Sequence, residues 1–173
     1  RWNPPGLPAD FAKRTPKELW RVKIGSGFGG GTGSQGRLYV MDYDKAEQAE
    51  SVRCFAADGG RELWHHTYTA AYGKMDHPSG PRASVVIEHE GGESSACTLG
   101  AIGMACRLDA ATGRVIWQKD TVKEFAAKIP TWGFAASPFL RNDKVILHVA
   151  AQPGGCLLAL DKKTGREIWR AGD

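Results

Sequence analysis

The sequence predicts an all-β fold: about three blades of a β-propeller, each a four-stranded antiparallel sheet, and so part of a larger ring. Three observations predict it. A motif that closes on Trp recurs at blade-sized intervals, glycine is abundant at 22 copies in 173 residues, and the apolar runs are short enough to be strands.

Residues 159–169 read Ala-Leu-Asp-Lys-Lys-Thr-Gly-Arg-Glu-Ile-Trp and residues 107–117 read Arg-Leu-Asp-Ala-Ala-Thr-Gly-Arg-Val-Ile-Trp. Residues 54–64 read Cys-Phe-Ala-Ala-Asp-Gly-Gly-Arg-Glu-Leu-Trp, and a worn copy ends at Leu19-Trp20. The Trp-to-Trp intervals are 44, 53 and 52 residues. Each position has a physical use. Asp109 and Asp161 open turns by accepting hydrogen bonds from N–H groups two residues on. Gly113 and Gly165 supply the positive φ that closes them. Trp64, Trp117 and Trp169 are equivalent, each expected to fill the wedge between two sheets and to donate its indole N–H to a carbonyl.

The strands follow from the turns. The first unit predicts strands over Gly36–Asp42 and Ser51–Ala56, separated by an insertion at Tyr43–Glu50. The second predicts Arg82–Glu88, Ser94–Gly100 and Met104–Asp109. The third predicts Gly133–Leu140, Lys144–Ala150 and Cys156–Asp161, with Arg166–Arg170 returning. Leu19–Ile24 reads as a strand left over to complete the last blade of the ring. A short helix is expected over Val122–Lys128, before Pro130. Residues 1–18 form an N-terminal extension and 19–173 the blades.

Composition narrows the functional classes. Hydrophobic residues make up 42% and charged residues 24%, ordinary for a globular chain. The net charge of +4 is dispersed among acidic neighbours, so no basic, aromatic-laced groove for nucleic acid is expected. The longest apolar run, Val145-Ile146-Leu147 with its flanks, is too short to span a membrane. The chain opens at Arg1 without a signal peptide, as expected of a processed or partial product. Four cysteines without CxxC spacing argue against zinc, and no metal site is predicted.

The pattern Ala-x-Asp-x-x-Thr-Gly-x-x-x-Trp, intact from Ala159 to Trp169, resembles the repeat of the PQQ-like β-propellers, from about Leu19 onward. The stretch Trp132-Gly133-Phe134-Ala135-Ala136-Ser137-Pro138 is similar to the strand-approach segment of exported propellers in that family. The resemblance implies a periplasmic or extracellular location. The same repeat serves quinoprotein dehydrogenases, an outer-membrane assembly lipoprotein and other exported proteins. The expected function is a non-catalytic binding or scaffold domain that presents loops to a protein or ligand partner, with no cofactor. The open blade faces call for cover by the rest of the propeller or by another chain. The alternative is a fragment of a PQQ-dependent quinoprotein dehydrogenase, which implies PQQ, calcium and, in the alcohol-oxidising enzymes, a disulfide between adjacent cysteines. No two cysteines are adjacent here, and no carboxylate–amide set with calcium-like spacing is present.

Other motifs carry less. Gly25-Ser26-Gly27-Phe28-Gly29-Gly30 matches GxGxxG, but Gly31-Thr32-Gly33-Ser34-Gln35-Gly36 cannot continue as the helix that dinucleotide binding needs, and the run is expected to be an inner strand and hairpin near the propeller axis. His65 and His66 alternate on a strand and cannot share a metal. His77, beside Asp76 in a loop, reads as a ligand or, as the plainer expectation, a lone surface His. His89 and His148 lack obvious partners, and no GxSxG nucleophile elbow occurs. The long linkers Thr69–Gly80 and Thr121–Trp132 gather on one face, where Arg82 and Trp132 are candidates to line the channel mouth. The competing expectation is that Trp132 packs its loop and Arg82 pairs with a carboxylate. Finally, with Ala101-Ile102 as a hairpin tip, Cys97 faces Cys106 at disulfide distance. Two buried, unpaired thiols are the alternative.

Overall fold

The computed structural model describes residues 17–73 and 75–172. Three four-stranded antiparallel sheets succeed one another along the chain. Blade 1 comprises β1 (Thr32–Ser34), β2 (Arg37–Asp44), β3 (Ala49–Ala56) and β4 (Glu62–Thr69). Blade 2 comprises β5 (Val86–Glu90), β6 (Glu93–Leu99), β7 (Met104–Asp109) and β8 (Val115–Asp120). Blade 3 comprises β9 (Phe139–Arg141), β10 (Lys144–Ala151), β11 (Gly155–Asp161) and β12 (Glu167–Ala171), reached through the one-turn helix α1 (Thr121–Phe125). This is a partial β-propeller. Most of the predicted 1–18 extension lies outside the described residues.

Several boundaries differ from expectation. Tyr43–Glu50 is not an insertion: β2 and β3 pair out to Asp44↔Ala49 and close through a short turn. The Asp44 carboxylate stabilises that turn by accepting the Ala46 and Glu47 N–H groups at 2.8 and 3.1 Å. β1, Thr-Gly-Ser, is the inner strand expected of the glycine-rich run, and it forms a hairpin with β2. Arg82–Val85 and Gly133–Pro138 approach the axis without joining a ladder, and Leu19–Ile24 forms no strand among the described residues.

One device ties each blade to the next. The indole N–H groups of Trp20, Trp64 and Trp117 donate to the carbonyls of Ala57 (2.8 Å), Ala110 (3.1 Å) and Lys162 (2.9 Å). Those carbonyls belong to the turns that end in Gly60, Gly113 and Gly165, and the rings lie on these glycines. A Cβ there would come within 2.6, 2.6 and 2.9 Å of ring carbons. Glycine is therefore required twice, for its φ near +70° and for the space it leaves. The turns are rigid because Asp109 Oδ1 accepts from Ala111 N, Thr112 N and the Thr112 hydroxyl, and Asp161 Oδ1 does the same for Lys163 and Thr164. The threonine hydroxyls, first among several donors, hold both carboxyls below their ordinary range.

Two buried clusters fill the gaps. Tyr39, Met41, Val52, Trp64, Cys106 and Leu108 pack between blades 1 and 2. Cys97, Leu99, Trp117, Phe134, Leu147 and Leu160 pack between blades 2 and 3. The second gap also holds Arg107, whose guanidinium donates to the Lys162 carbonyl, and Lys162, whose Nζ lies 3.0 Å from Glu88 and 2.6 Å from Glu90. Near the axis, Gly30 N–H donates to Ser84 Oγ (3.1 Å) and Ser84 N–H to Ser137 Oγ (3.0 Å), repeating one link from blade to blade.

Trp169 stands apart. It shares a cross-strand row with Ala159, Ile146 and Phe139 on the outward face of blade 3. It is half-buried, with no acceptor for its N–H among the described residues, while Phe139 and Leu157 beside it are 59% and 40% exposed.

The Cys97–Cys106 pairing is corrected. Thr98, not Cys97, faces Cys106, and Cys97 faces Arg107. The hairpin has an odd loop, with Gly100 N–H bonded to Met104 O and Gly103 at φ +94°, so the register slips by one and the side chains fall on opposite faces. Cys97 joins the gap toward blade 3 and Cys106 the gap toward blade 1; both are free thiols.

Two outcomes follow. Trp64→Ala and Trp117→Ala should each cost ~3–5 kcal/mol by urea denaturation, whereas a loss below about 1 kcal/mol would show that the rings are not the inter-blade anchors. Burial pushes the Cys97 and Cys106 thiols up to about 12. In the native protein a thiol reagent should modify Cys156 first, and four thiols should react after unfolding without reductant. Two reactive thiols in the unfolded protein would contradict the register.

Candidate functional site

Antiparallel topology sorts the connections. The β3–β4, β7–β8 and β11–β12 turns, with the β1–β2, β5–β6 and β9–β10 turns, occupy one end. The other end holds the β2–β3, β6–β7 and β10–β11 hairpins and both long linkers.

At the linker end Glu50 is completely buried. Its carboxylate accepts the Tyr68 hydroxyl (2.6 Å), the Tyr72 hydroxyl (2.5 Å) and the Ala101 N–H (2.9 Å). Three donors in place of a cation satisfy this charge. The hairpin can approach because residue 100 is glycine: a Cβ there would stand 2.0 Å from Glu50 Oε2. Tyr43 stacks on Tyr72 with centroids 4.0 Å apart, so the first linker is pinned where it leaves β4. Burial first, then the Glu50 charge, raises Tyr68 and Tyr72 well above the ordinary phenol range.

From this base rises an exposed aromatic group. Arg82 donates to the carbonyls of Gly80 (2.5 Å) and His77 (2.6 Å), and its guanidinium lies 5.4 Å from the centroid of Phe28. The His77 ring meets Trp132 edge-on at 6.0 Å, and Asp76 N–H donates to Thr131 O, joining the two linkers. Phe28 and Trp132 are 61% and 64% exposed. Arg82 and Trp132 thus belong to one cluster but touch only through His77. Arg82 is held by carbonyls rather than by a carboxylate, and Trp132 stands proud of its loop. Sequence reasoning missed Phe28 and Glu50, and weighed His77 only as a ligand or a lone surface residue. Phe28 sat inside the glycine run, and nothing in the sequence marks Glu50 as buried.

The remaining motifs find plain partners. His65 bonds Glu62 (2.6 Å) and His66 bonds Gln118 (2.9 Å) of the next blade. Gly25–Gly30 starts no helix; a Cβ at Gly29 would lie 2.4 Å from the Ala83 carbonyl, so this run serves close passage along blade 2. Among the described residues, no group of three or more His, Cys, Asp or Glu side chains is placed to hold a metal ion, and no helix is long and apolar enough to cross a membrane.

The family model described as outer membrane protein assembly factor BamB matches residues 9–171. The chain belongs to this PQQ-like propeller family. BamB from Moraxella catarrhalis superposes with a TM-score of 0.58 at 16% identity, over 90% of this chain and 44% of that one. A europium-containing methanol dehydrogenase gives 0.55 at 20% identity, over 85% of this chain and 25% of the enzyme. Quinohemoprotein alcohol dehydrogenase from Comamonas testosteroni gives 0.52 at 21% identity, over 84% and 21%. At these identities the likeness is one of fold, and the chain spans less than half the length of each. No curated protein matches it in sequence. PQQ-like propellers of both kinds, assembly factor and dehydrogenase, therefore share its blades.

All four tyrosines have raised pKa values, Tyr39 to about 12, chiefly through burial. A phenol whose folded pKa lies above its unfolded value of ~10 stabilises the fold fully below that value and loses the contribution as pH rises toward the folded value. Stability should therefore fall above pH ~10, and tyrosinate absorbance should appear together with unfolding. Ionisation of the tyrosines in the native protein near their ordinary pKa would contradict the buried Glu50 network.

Proposed function

We propose that this chain is a binding scaffold of an exported PQQ-like propeller, which engages a protein partner through its linker end. The observation that carries this reading is the Phe28–Arg82–His77–Trp132 cluster. Two large exposed rings, Phe28 and Trp132, are joined through Arg82 and His77 on segments anchored at their base by Glu50 and by close glycine contacts. Exposed aromatic residues on preordered loops gain contact area at low entropic cost, the usual chemistry of interface anchors. The family's description as an assembly factor supports a protein partner and a periplasmic or outer-membrane setting.

The dehydrogenase alternative asks whether residues present fit calcium and a quinone carboxylate. They do not. The two buried carboxylates among the described residues are already satisfied, Asp42 by Arg53 Nε (3.0 Å) and Gly25 N–H (2.6 Å), and Glu50 by its three donors. Quinone chemistry would have to rest on residues outside this chain.

A photo-crosslinking residue placed at 28 or 132 of the full-length protein in its native host should give a discrete adduct with another protein, and one at Lys163 should give none. Purified protein given PQQ and calcium should not reduce dye with alcohols. Crosslinks only within the chain, or PQQ-dependent dye reduction, would overturn the proposal.

A further inference from the structure

The turn end of blades 1 and 2, away from the linkers, brings together three polar side chains that join β1 to β5 and β6. Ser34 Oγ lies 2.7 Å from His89 Nε2, and His89 Nδ1 lies 2.7 Å from Ser94 Oγ. Ser34 closes β1, while His89 and Ser94 face each other across β5 and β6. We propose that Ser34 is a nucleophile activated by His89, forming an acyl-transfer site for carboxylic esters.

A neutral imidazole has one donor and one acceptor nitrogen. With Nδ1–H donating to Ser94 Oγ, Nε2 is the acceptor and takes the Ser34 hydroxyl proton, the relation a serine nucleophile needs with its base. The next two residues, Gln35 (φ +47°) and Gly36 (φ +70°), make a tight two-residue turn. Their backbone N–H groups donate to no partner among the described residues. In hydrolase elbows the N–H after the nucleophile helps bind the oxyanion. Thr32-Gly33-Ser34-Gln35-Gly36 keeps the Ser-x-Gly half of that elbow and lacks its first glycine; here it sits on a hairpin instead of a strand-to-helix turn. Beside the pair runs a groove of about 380 Å³, lined in part by Gln35, Gly92, Glu93 and Ser94. Arg107 and Arg114 share the groove with Glu88, Glu90, Glu93 and Asp109, and Glu90 is paired with Lys162. The lining therefore selects neither sign of charge, and the substrate class is a carboxylic ester without a charge requirement.

In the reaction, Ser34 Oγ bonds to the acyl carbon as its proton passes to His89 Nε2. The ester C–O bond then breaks, and that proton leaves with the alcohol. Water, deprotonated by the same nitrogen, releases the acid and restores the serine.

A fluorophosphonate probe tests the site, because a P–O bond to Ser34 forms as P–F breaks and fluoride leaves with the hydroxyl proton. Full-length protein should carry the adduct on Ser34, and Ser34→Ala should abolish it. His89→Gln should slow labelling by about 10²-fold or more, and Ser94→Ala by less, with unchanged thermal unfolding for all three. Hydrolysis of a short-chain 4-nitrophenyl ester should follow the same order. No adduct at Ser34, or labelling of His89→Gln at the wild-type rate, would overturn the proposal. It rests on the end of the blades opposite the scaffold surface, so either reading can fail alone.

Discussion

The seating of each blade's Trp on a glycine of the next blade's turn is the constraint from which the rest of the structure follows. It combines a large buried ring, an indole hydrogen bond and a backbone position that no side chain can occupy. A buried Trp with its N–H satisfied is worth several kcal/mol, more than any surface ion pair on this chain. It also fixes geometry. The ring sets how far one sheet stands from the next, and the capped turn beneath it cannot yield because Asp109 or Asp161 locks it. Stability is then close to a sum over neighbouring blades, as in other repeat folds.

Two further ties act at different radii. Near the axis the Gly30–Ser84–Ser137 links join successive approach segments. In the second gap Arg107 and Lys162 stand where the first gap has Cys54 and Ala110, and they bring Glu88 and Glu90 into a largely buried charge network. Such a network costs desolvation that its pairing must offset. It gives the second gap a specificity of orientation that the apolar first gap obtains from Tyr39 and Trp64. Because the blades are rigid, their two ends can carry different chemistry, with exposed aromatics at the linker end and polar hydroxyl and imidazole groups at the turn end.

The blades were legible in the sequence because their determinants are local and repeat. Asp, Gly and Trp at fixed offsets each answer one backbone demand, so the turns and returning strands at 107–117 and 159–169 could be read directly. The inner strand β1 was legible only as a glycine-rich hairpin without bounds, because three residues of Thr, Gly and Ser have no apolar alternation. The Cys97–Cys106 error came from a loop of odd length: one glycine at positive φ turned two side chains to opposite faces, and spacing alone does not reveal that. The candidate clusters were the least legible. Arg82 and Trp132 were found from their linkers, but the contacts that join Phe28 to Arg82, and Ser34 to His89, each bridge more than fifty residues. No periodicity marks such pairs.

The central claim is that blades are coupled pairwise through the Trp–turn contact. Native-state hydrogen exchange on the Trp117→Ala protein tests it most directly. Amides of β9–β12 should lose protection together, while those of β2–β4 keep the values of the parent protein, because the Trp64 contact is untouched. A uniform loss of protection across all three blades, or none in blade 3, would contradict the account.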